Sequence, residues 1–319
     1  MSERQEPELV FWGEPEHTSA SFDFRSDVLT TPSRGMLAAI VHTTLNDDVY
    51  HEDKTTTSFE LEMATICGHE AAAFVITGTM ANQLAVRTLL FQPPYAILTD
   101  AHSHIIHWEA RGTALVSGSV VQAIRPANQR YLTLNDIKKH AGLTDDVHKC
   151  PTRDWATDHD IAIYMDGARL WEAQKSSSTN GSDGCWFQKG YSDLETDPEG
   201  FGGGMRQAGV LAATARQAVL ENFGLKETCT RPTLKKSHEM ASFIAQLWTS
   251  KGGLLLREVE TNIVWVNLAA AGIGIQEWNL TGKKHGIRLN GKRIVVHHRI
   301  CNSALARLSQ VMEEVLGGH

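Results

Sequence analysis

The side chains best placed to do chemistry in this sequence sit at the ends of short apolar runs. Ile161 to Trp171 is the clearest case: an apolar run enters Asp166, turns through Gly167 and Ala168, and meets Arg169. An apolar run bounded by turn residues suits a strand buried on both faces, as in a parallel sheet. Ligands of open α/β sheets bind beyond the carboxyl ends of such strands. An acid there, shortly before an arginine, can meet a ligand with a cationic and an anionic part. One such ligand is a pyridine cofactor, whose ring nitrogen needs an acid partner. Alone, the same motif reads more simply as a loop carboxylate salt-bridged to its neighbour.

Three other clusters carry similar weight. Ala71 to Ile76 reads as a buried strand, and Thr77-Gly78-Thr79-Met80-Ala81-Asn82-Gln83 turns it into a helix. The free N–H groups and positive end of that helix make an anion site, although Thr77 or Thr79 can simply cap it. Tyr95 to Asp100 is a strand candidate that leads into His102, His104 and His107, spaced H-x-H-x-x-H. Those histidines could hold a metal, as in some hydrolases, or include one ring that stacks on a flat ligand. Gly200 to Gly209 is a glycine-rich turn with Arg206 at a helix start, suited to phosphate or carboxylate contact.

The elements that must position these groups follow from periodicity. Helical patterns run through Met36 to Val41, Thr57 to Cys67 (with Gly68 as C-cap), Leu84 to Leu90, Leu132 to Leu143, Val210 to Val219, Ser237 to Ser250 and Ser303 to Leu316. Strand-like runs fall at Leu115 to Ile124, Leu254 to Glu258, Ile263 to Leu268 and Ile294 to His297, with Arg293 opening the last. The alternation implies an α/β fold: a mostly parallel sheet with flanking helices, plus a smaller C-terminal α/β domain. The expected organisation is a polar N-terminal extension over 1–21, a large domain over 22–224 and a small domain over 225–319.

Bulk composition narrows the class. The chain has 319 residues, 42% hydrophobic and 21% charged, with a net charge of −7, which argues against nucleic-acid binding. Its five cysteines are scattered, without C-x-x-C spacing, and suit reduced thiols in a cytoplasmic protein. No apolar run reaches the ~18 residues of a membrane span, and no signal peptide is expected in the polar, acidic start.

Taken in order, the motifs resemble the threonine aldolase family, pyridoxal-phosphate enzymes of the aspartate-aminotransferase fold. The matching pieces are Arg25-Ser26-Asp27; Asp47-Asp48-Val49-Tyr50 with Glu52-Asp53; Thr77 to Gln83; His104 with Glu109; Asp146-Val147-His148; Asp166 to Arg169; and Gly202 to Gly209. The resemblance implies a large cofactor domain of the transferase type and a homo-oligomer, dimer or tetramer, with sites at the subunit interface. It implies that Gly78 and Thr79 hold the cofactor phosphate, that His104 stacks on the pyridine ring and acts as a base, and that Asp166 holds the pyridinium proton. Arg169 and Arg206 would serve the cofactor, and Ser26 and Arg293, with Tyr50, the substrate and its carboxylate. His148 would lie near the substrate hydroxyl. The implied reaction is that of an aldehyde-lyase, cleaving L-threonine or L-allo-threonine to glycine and acetaldehyde, in general or specialised metabolism. An amino-acid racemase on the same scaffold, and a catalytically impaired or truncated member of the family, are the alternatives.

The sequence departs from the family pattern in four places. Asp166 follows His148 by only 18 positions (166 less 148), too few for the strand and helix the family has there. A parallel crossover alone takes about a dozen residues, so roughly two dozen are lost. The family's Ser-Lys-Gly segment, which carries the Schiff-base lysine, is also not recognisable. Lys189, in Cys185-Trp186-Phe187-Gln188-Lys189-Gly190, is the expected substitute, ahead of Lys175. His51 and Lys54 stand where the family commonly has Gly and Pro.

Overall fold

The computed structural model describes residues 18–90, 93–140, 164–168, 203–223 and 233–317. Lys189, Lys175, His148 and Arg169, together with Ile161 to Ile163, lie outside the described residues. In chain order the helices are α1 (Arg34–Val41), α2 (Lys54–Cys67), α3 (Gly78–Thr88), α4 (His104–His107), α5 (Gly112–Ser117), α6 (Leu134–His140), α7 (Gly209–Phe223), α8 (Thr233–Ser250), α9 (Ile275–Lys284) and α10 (Asn302–Leu316). The strands are β1 (Ala96–Asp100), β2 (Val120–Ile124), β3 (Ile263–Trp265) and β4 (Arg293–Val295). The described residues divide into two compact units, one built from 18–45, 208–223 and 233–317, the other from 46–90, 93–140, 164–168 and 203–207.

The first unit holds a core of large apolar side chains. Along α8 the buried positions are Ser237, Ala241, Ile244, Ala245 and Trp248, and along α10 they are Ala304, Leu308, Val311, Met312 and Val315. Both series follow the i, i+4, i+7, i+8, i+11 stripe of a helix with one face in the core. Trp248 and Trp278 are fully buried and meet edge to face, with ring centroids 5.7 Å apart. The Trp248 indole N–H donates to the Leu254 carbonyl at 2.8 Å. Gly253 is required beside it, because a Cβ there would lie 2.3 Å from the indole.

The N-terminal segment is stitched into the same unit. Phe24 N–H donates to the Arg288 carbonyl, Arg288 N–H to the Phe22 carbonyl, and Val295 N–H to the Phe24 carbonyl, all within 2.9 Å. Asp23 is buried and accepts the Arg25 guanidinium at 2.7 to 3.1 Å. Burial alone would raise the Asp23 pKa, but the bonds from Arg25 outweigh it and hold the carboxyl below its ordinary value.

In the second unit, β1 and β2 pair in parallel, Ala96 opposite Val120 through Asp100 opposite Ile124. In the first, β3 and β4 pair antiparallel. The fold class expected a mostly parallel sheet; among the described residues the sheets are these two short pairs. The strand expected over Ala71 to Ile76 does not form. Residues 71–73 are exposed coil, and the Phe74 N–H is taken by the Glu60 carboxylate at 2.7 Å rather than by a neighbouring strand. A strand exists only as part of a ladder. Leu115 to Ile124 splits into the end of α5 and β2, with Gly118 at φ +61 making the break. Leu254 to Glu258 keeps only an isolated bridge, Leu255 to Val266.

Both local departures from the family pattern fall at positions with a physical demand. His51 sits at φ +57, the left-handed region that favours glycine. Lys54 is the first residue of α2, where proline costs no hydrogen bond. Asp53 caps that helix, accepting Thr56 N–H at 2.8 Å, and Gly68 closes it at φ +71.

Candidate active site

Helix α3 organises the second unit's polar centre. Thr77 caps it, accepting the Met80 N–H at 3.1 Å, which leaves the Gly78 and Thr79 N–H groups ahead of the first intrahelical donors. Both residues are exposed, so an anion can approach them. One turn further along, Asn82 and Gln83 turn inward and are buried. Residues four apart share a helix face. The same helix therefore offers a phosphate site at its tip and a pair of amides one turn below.

Those amides hold a buried carboxylate. Glu109 accepts Asn82 Nδ2 at 2.6 Å and Gln83 Nε2 at 3.0 Å, and its Oε1 lies 2.9 Å from His104 Nδ1. The Glu109 side chain is fully buried, while that of His104 is 55% exposed. Asn82 Nδ2 also lies 3.2 Å from Asp166 Oδ2, and the Ala168 N–H donates to Asp166 Oδ1 at 2.9 Å. Tyr164 completes the network by donating its hydroxyl to Asn82 Oδ1 at 2.6 Å. Burial, with Asp166 and Glu109 nearby, pushes the Tyr164 phenol up to about 12, so it stays a donor. Gly112 permits the arrangement: a Cβ there would lie 2.8 Å from the Gln83 amide.

The structure thus links His104 and Asp166, expected as ring-stacking and ring-nitrogen residues, through Glu109 and Asn82, the latter on the helix whose tip carries Gly78 and Thr79. Glu109, Asn82 and Tyr164 were not assigned roles from the sequence. Glu109 and Asn82 stood inside recognised motifs, but only the packing shows that they touch. The other histidines do not join His104. His107 Nε2 turns to the Ala101 carbonyl at 2.8 Å, and no group of three or more metal-binding side chains occurs among the described residues.

Elsewhere on this unit, Tyr50 and Arg206 meet on an exposed surface. Arg206 reaches Asp47 at 2.8 Å and stacks over the Tyr50 ring at 5.3 Å. The hydrogen bond from Arg206 holds Asp47 below its ordinary pKa. In the first unit, Arg293 reaches the Arg25 carbonyl at 3.4 Å, next to Ser26, whose hydroxyl accepts the Val28 N–H.

The donor set fits pyridoxal phosphate at two ends: free N–H groups for the phosphate, and a carboxylate for a protonated ring nitrogen. Comparison with known proteins agrees. A beta-eliminating lyase family model matches residues 23–153. The chain belongs to the beta-eliminating lyase and low-specificity threonine aldolase family, which is pyridoxal-phosphate-dependent.

Among relatives, the chain is 40% identical to the alanine racemase TOXG of Cochliobolus carbonum, covering 98% of this chain and 91% of that one. It is 39% identical to the aldolase vrtJ of Penicillium aethiopicum, over 96% and 88% of the two chains. It is 31% identical to the low-specificity L-threonine aldolase of Eremothecium gossypii, over 93% and 88%. The fold is like that of a Leishmania major threonine aldolase (TM-score 0.69, 14% identity, 92% and 99% coverage). An aromatic aminotransferase from Pyrococcus horikoshii also shares it (TM-score 0.55, 10% identity, 94% and 96% coverage). The match to the Cochliobolus relative spans 357 positions against a chain of 319, so at least 38 of them (357 less 319) have no counterpart here. Internal losses of the expected kind require such a gap.

Proposed function

We propose that this chain is a pyridoxal-phosphate-dependent lyase of the threonine aldolase type, cleaving β-hydroxy-α-amino acids such as L-threonine or L-allo-threonine to glycine and an aldehyde. The observation that carries this reading is the junction of His104 and Asp166 through Glu109 and Asn82. When bound, the cofactor supplies an electron sink for the pair left at Cα as Cα–Cβ breaks. The chain's own residues do the rest. Asp166 holds the proton at the ring nitrogen, and the N–H groups of Gly78 and Thr79 bind the phosphate. Ser26 and Arg293 bind the substrate carboxylate. His104 Nε2, the free end of the ring, takes the β-hydroxyl proton as the aldehyde leaves. His148 and Arg169 assist the hydroxyl and the cofactor as the family pattern implies, and Lys189 is the proposed covalent anchor.

A second reading rests on the 40% identity to a protein named an alanine racemase. That relative and the 39% identical aldolase outscore the threonine aldolases at about 31%, which supports a role in a specialised pathway. The exposed Tyr50 and Arg206 support a homo-oligomer in which this surface meets a neighbour.

Titration of the purified chain with pyridoxal phosphate tests the reading. A visible absorption band, bleached by borohydride, followed by peptide mapping of the labelled lysine, is the expected result. Acetaldehyde release from L-threonine against D-alanine formation from L-alanine separates aldolase from racemase. No band and no labelled lysine would mark the chain as a catalytically impaired member of the family.

A further inference from the structure

We propose that Glu109 and Asn82 are positioning residues: Glu109 fixes His104 as the Nδ1–H tautomer with Nε2 bare, and Asn82 ties that pair to Asp166. The idea deepens the lyase reading and rests on it for its use, though not for its geometry.

The argument begins with what each atom can do. A carboxylate oxygen only accepts, and His104 Nδ1 is 2.9 Å from Glu109 Oε1, so Nδ1 carries a proton there. In the neutral ring the other nitrogen is then the acceptor. Glu109 cannot turn away to release the ring. Its side chain is fully buried and gripped by two amides, Asn82 on Oε1 and Gln83 on Oε2. A buried carboxylate with three donors is a rigid fixture, because losing any one leaves an unsatisfied charge.

Asn82 has a second task. Its orientation is fixed on both sides: Oδ1 accepts the Tyr164 hydroxyl, and Nδ2 faces both Glu109 and Asp166. One NH2 group thereby bridges two carboxylates that would otherwise repel. The side chain that stacks on the ring and the side chain that meets its nitrogen are therefore set at one spacing by one amide. A histidine opening a four-residue helix just past a strand end gains from such support, since catalytic groups must be held within a fraction of an ångström.

The test reads the ring itself. Long-range 15N NMR of histidine in the full chain, before cofactor is added, reports which nitrogen of His104 is protonated, with His297 as an internal control. The wild-type ring is expected as the Nδ1–H tautomer. Glu109→Gln is expected to bring in the Nε2–H form. Asn82→Leu, which leaves Gln83 as the one amide on Glu109, is expected to move the tautomer ratio toward an even mixture while the His297 signals stay in place. In the cofactor-loaded chain the same variants should shift the acidic limb of the kcat profile.

A wild-type Nε2–H ring would overturn the proposal without any variant being needed, as would an unchanged ratio in Glu109→Gln. If no cofactor band forms but the tautomer is as expected, the lyase reading fails and the positioning role stands.

Discussion

The guanidinium of Arg293 lies 3.4 Å from the carbonyl of Arg25, beside the peptide that carries Ser26. A strand-opening residue near the C-terminus and a loop near the N-terminus therefore present a cation and a hydroxyl to one place. If the substrate carboxylate binds there, Arg293→Ala should raise KM far more than it lowers kcat. A lost charge-assisted hydrogen bond is worth about 2 kcal/mol, or roughly thirtyfold in kcat/KM. Steady-state kinetics with L-threonine check it; an unchanged KM would exclude Arg293 from the carboxylate site.

Asp166→Asn keeps the shape of the loop and the Ala168 contact but removes the charge that holds a ring proton. Activity should fall by about two to three orders of magnitude, the usual cost of losing one preorganised electrostatic partner. Binding of pyridoxal phosphate, followed by absorbance, should weaken far less.

His51 and Lys54 offer a stability test that leaves the polar centre alone. His51→Gly relieves the strain of φ +57, and Lys54→Pro places a preset φ at the first position of α2. Each is expected to add about 0.5 to 1 kcal/mol, seen as a higher urea midpoint with unchanged slope. A fall in midpoint for both would contradict the backbone reading.

The core of the first unit should be intolerant of truncation. Trp248→Ala removes a fully buried ring, its edge-to-face contact with Trp278 and the hydrogen bond to Leu254. The expected loss is about 3 to 5 kcal/mol, close to the whole stability of many domains. Calorimetry would read it as loss of that unit's transition.

Acid should weaken the same unit. Burial holds His297 below its ordinary pKa, and burial followed by Arg299 pushes His298 down to about 4. Below the ordinary value of 6.5 the unfolded chain binds protons that the folded one refuses, so stability rises with pH through that window. Chemical melts from pH 7 to pH 4 should show a falling midpoint, and His298→Gln should flatten the slope.

What the sequence made legible depended on how local the cause was. Helices α2, α8 and α10 were readable because an apolar stripe and, for α2, a terminal glycine are written in consecutive residues. The acid and histidine of the site were readable as motifs. The bond from Glu109 to His104, and the Asn82 amide between two carboxylates, join residues up to 84 positions apart. No periodicity encodes such a meeting. Ala71 to Ile76 misled for a related reason: its composition favours a strand, but a strand is a relation to a neighbour. Its Phe74 N–H found Glu60 first.

The seam between Phe22 to Phe24 and Arg288 to Val295 has a consequence in time. On the ribosome, the segment bearing Asp23, Arg25 and Ser26 emerges long before its hydrogen-bonding partners at Arg288 to Val295 are made. Until they appear, Phe24 has no core to enter and Asp23 no Arg288 beside it. The first unit must therefore close only after Arg288 to Val295 have been made, with its earlier segment kept waiting. A chain cut short before Arg288 would lose the beginning of this fold as well as its end.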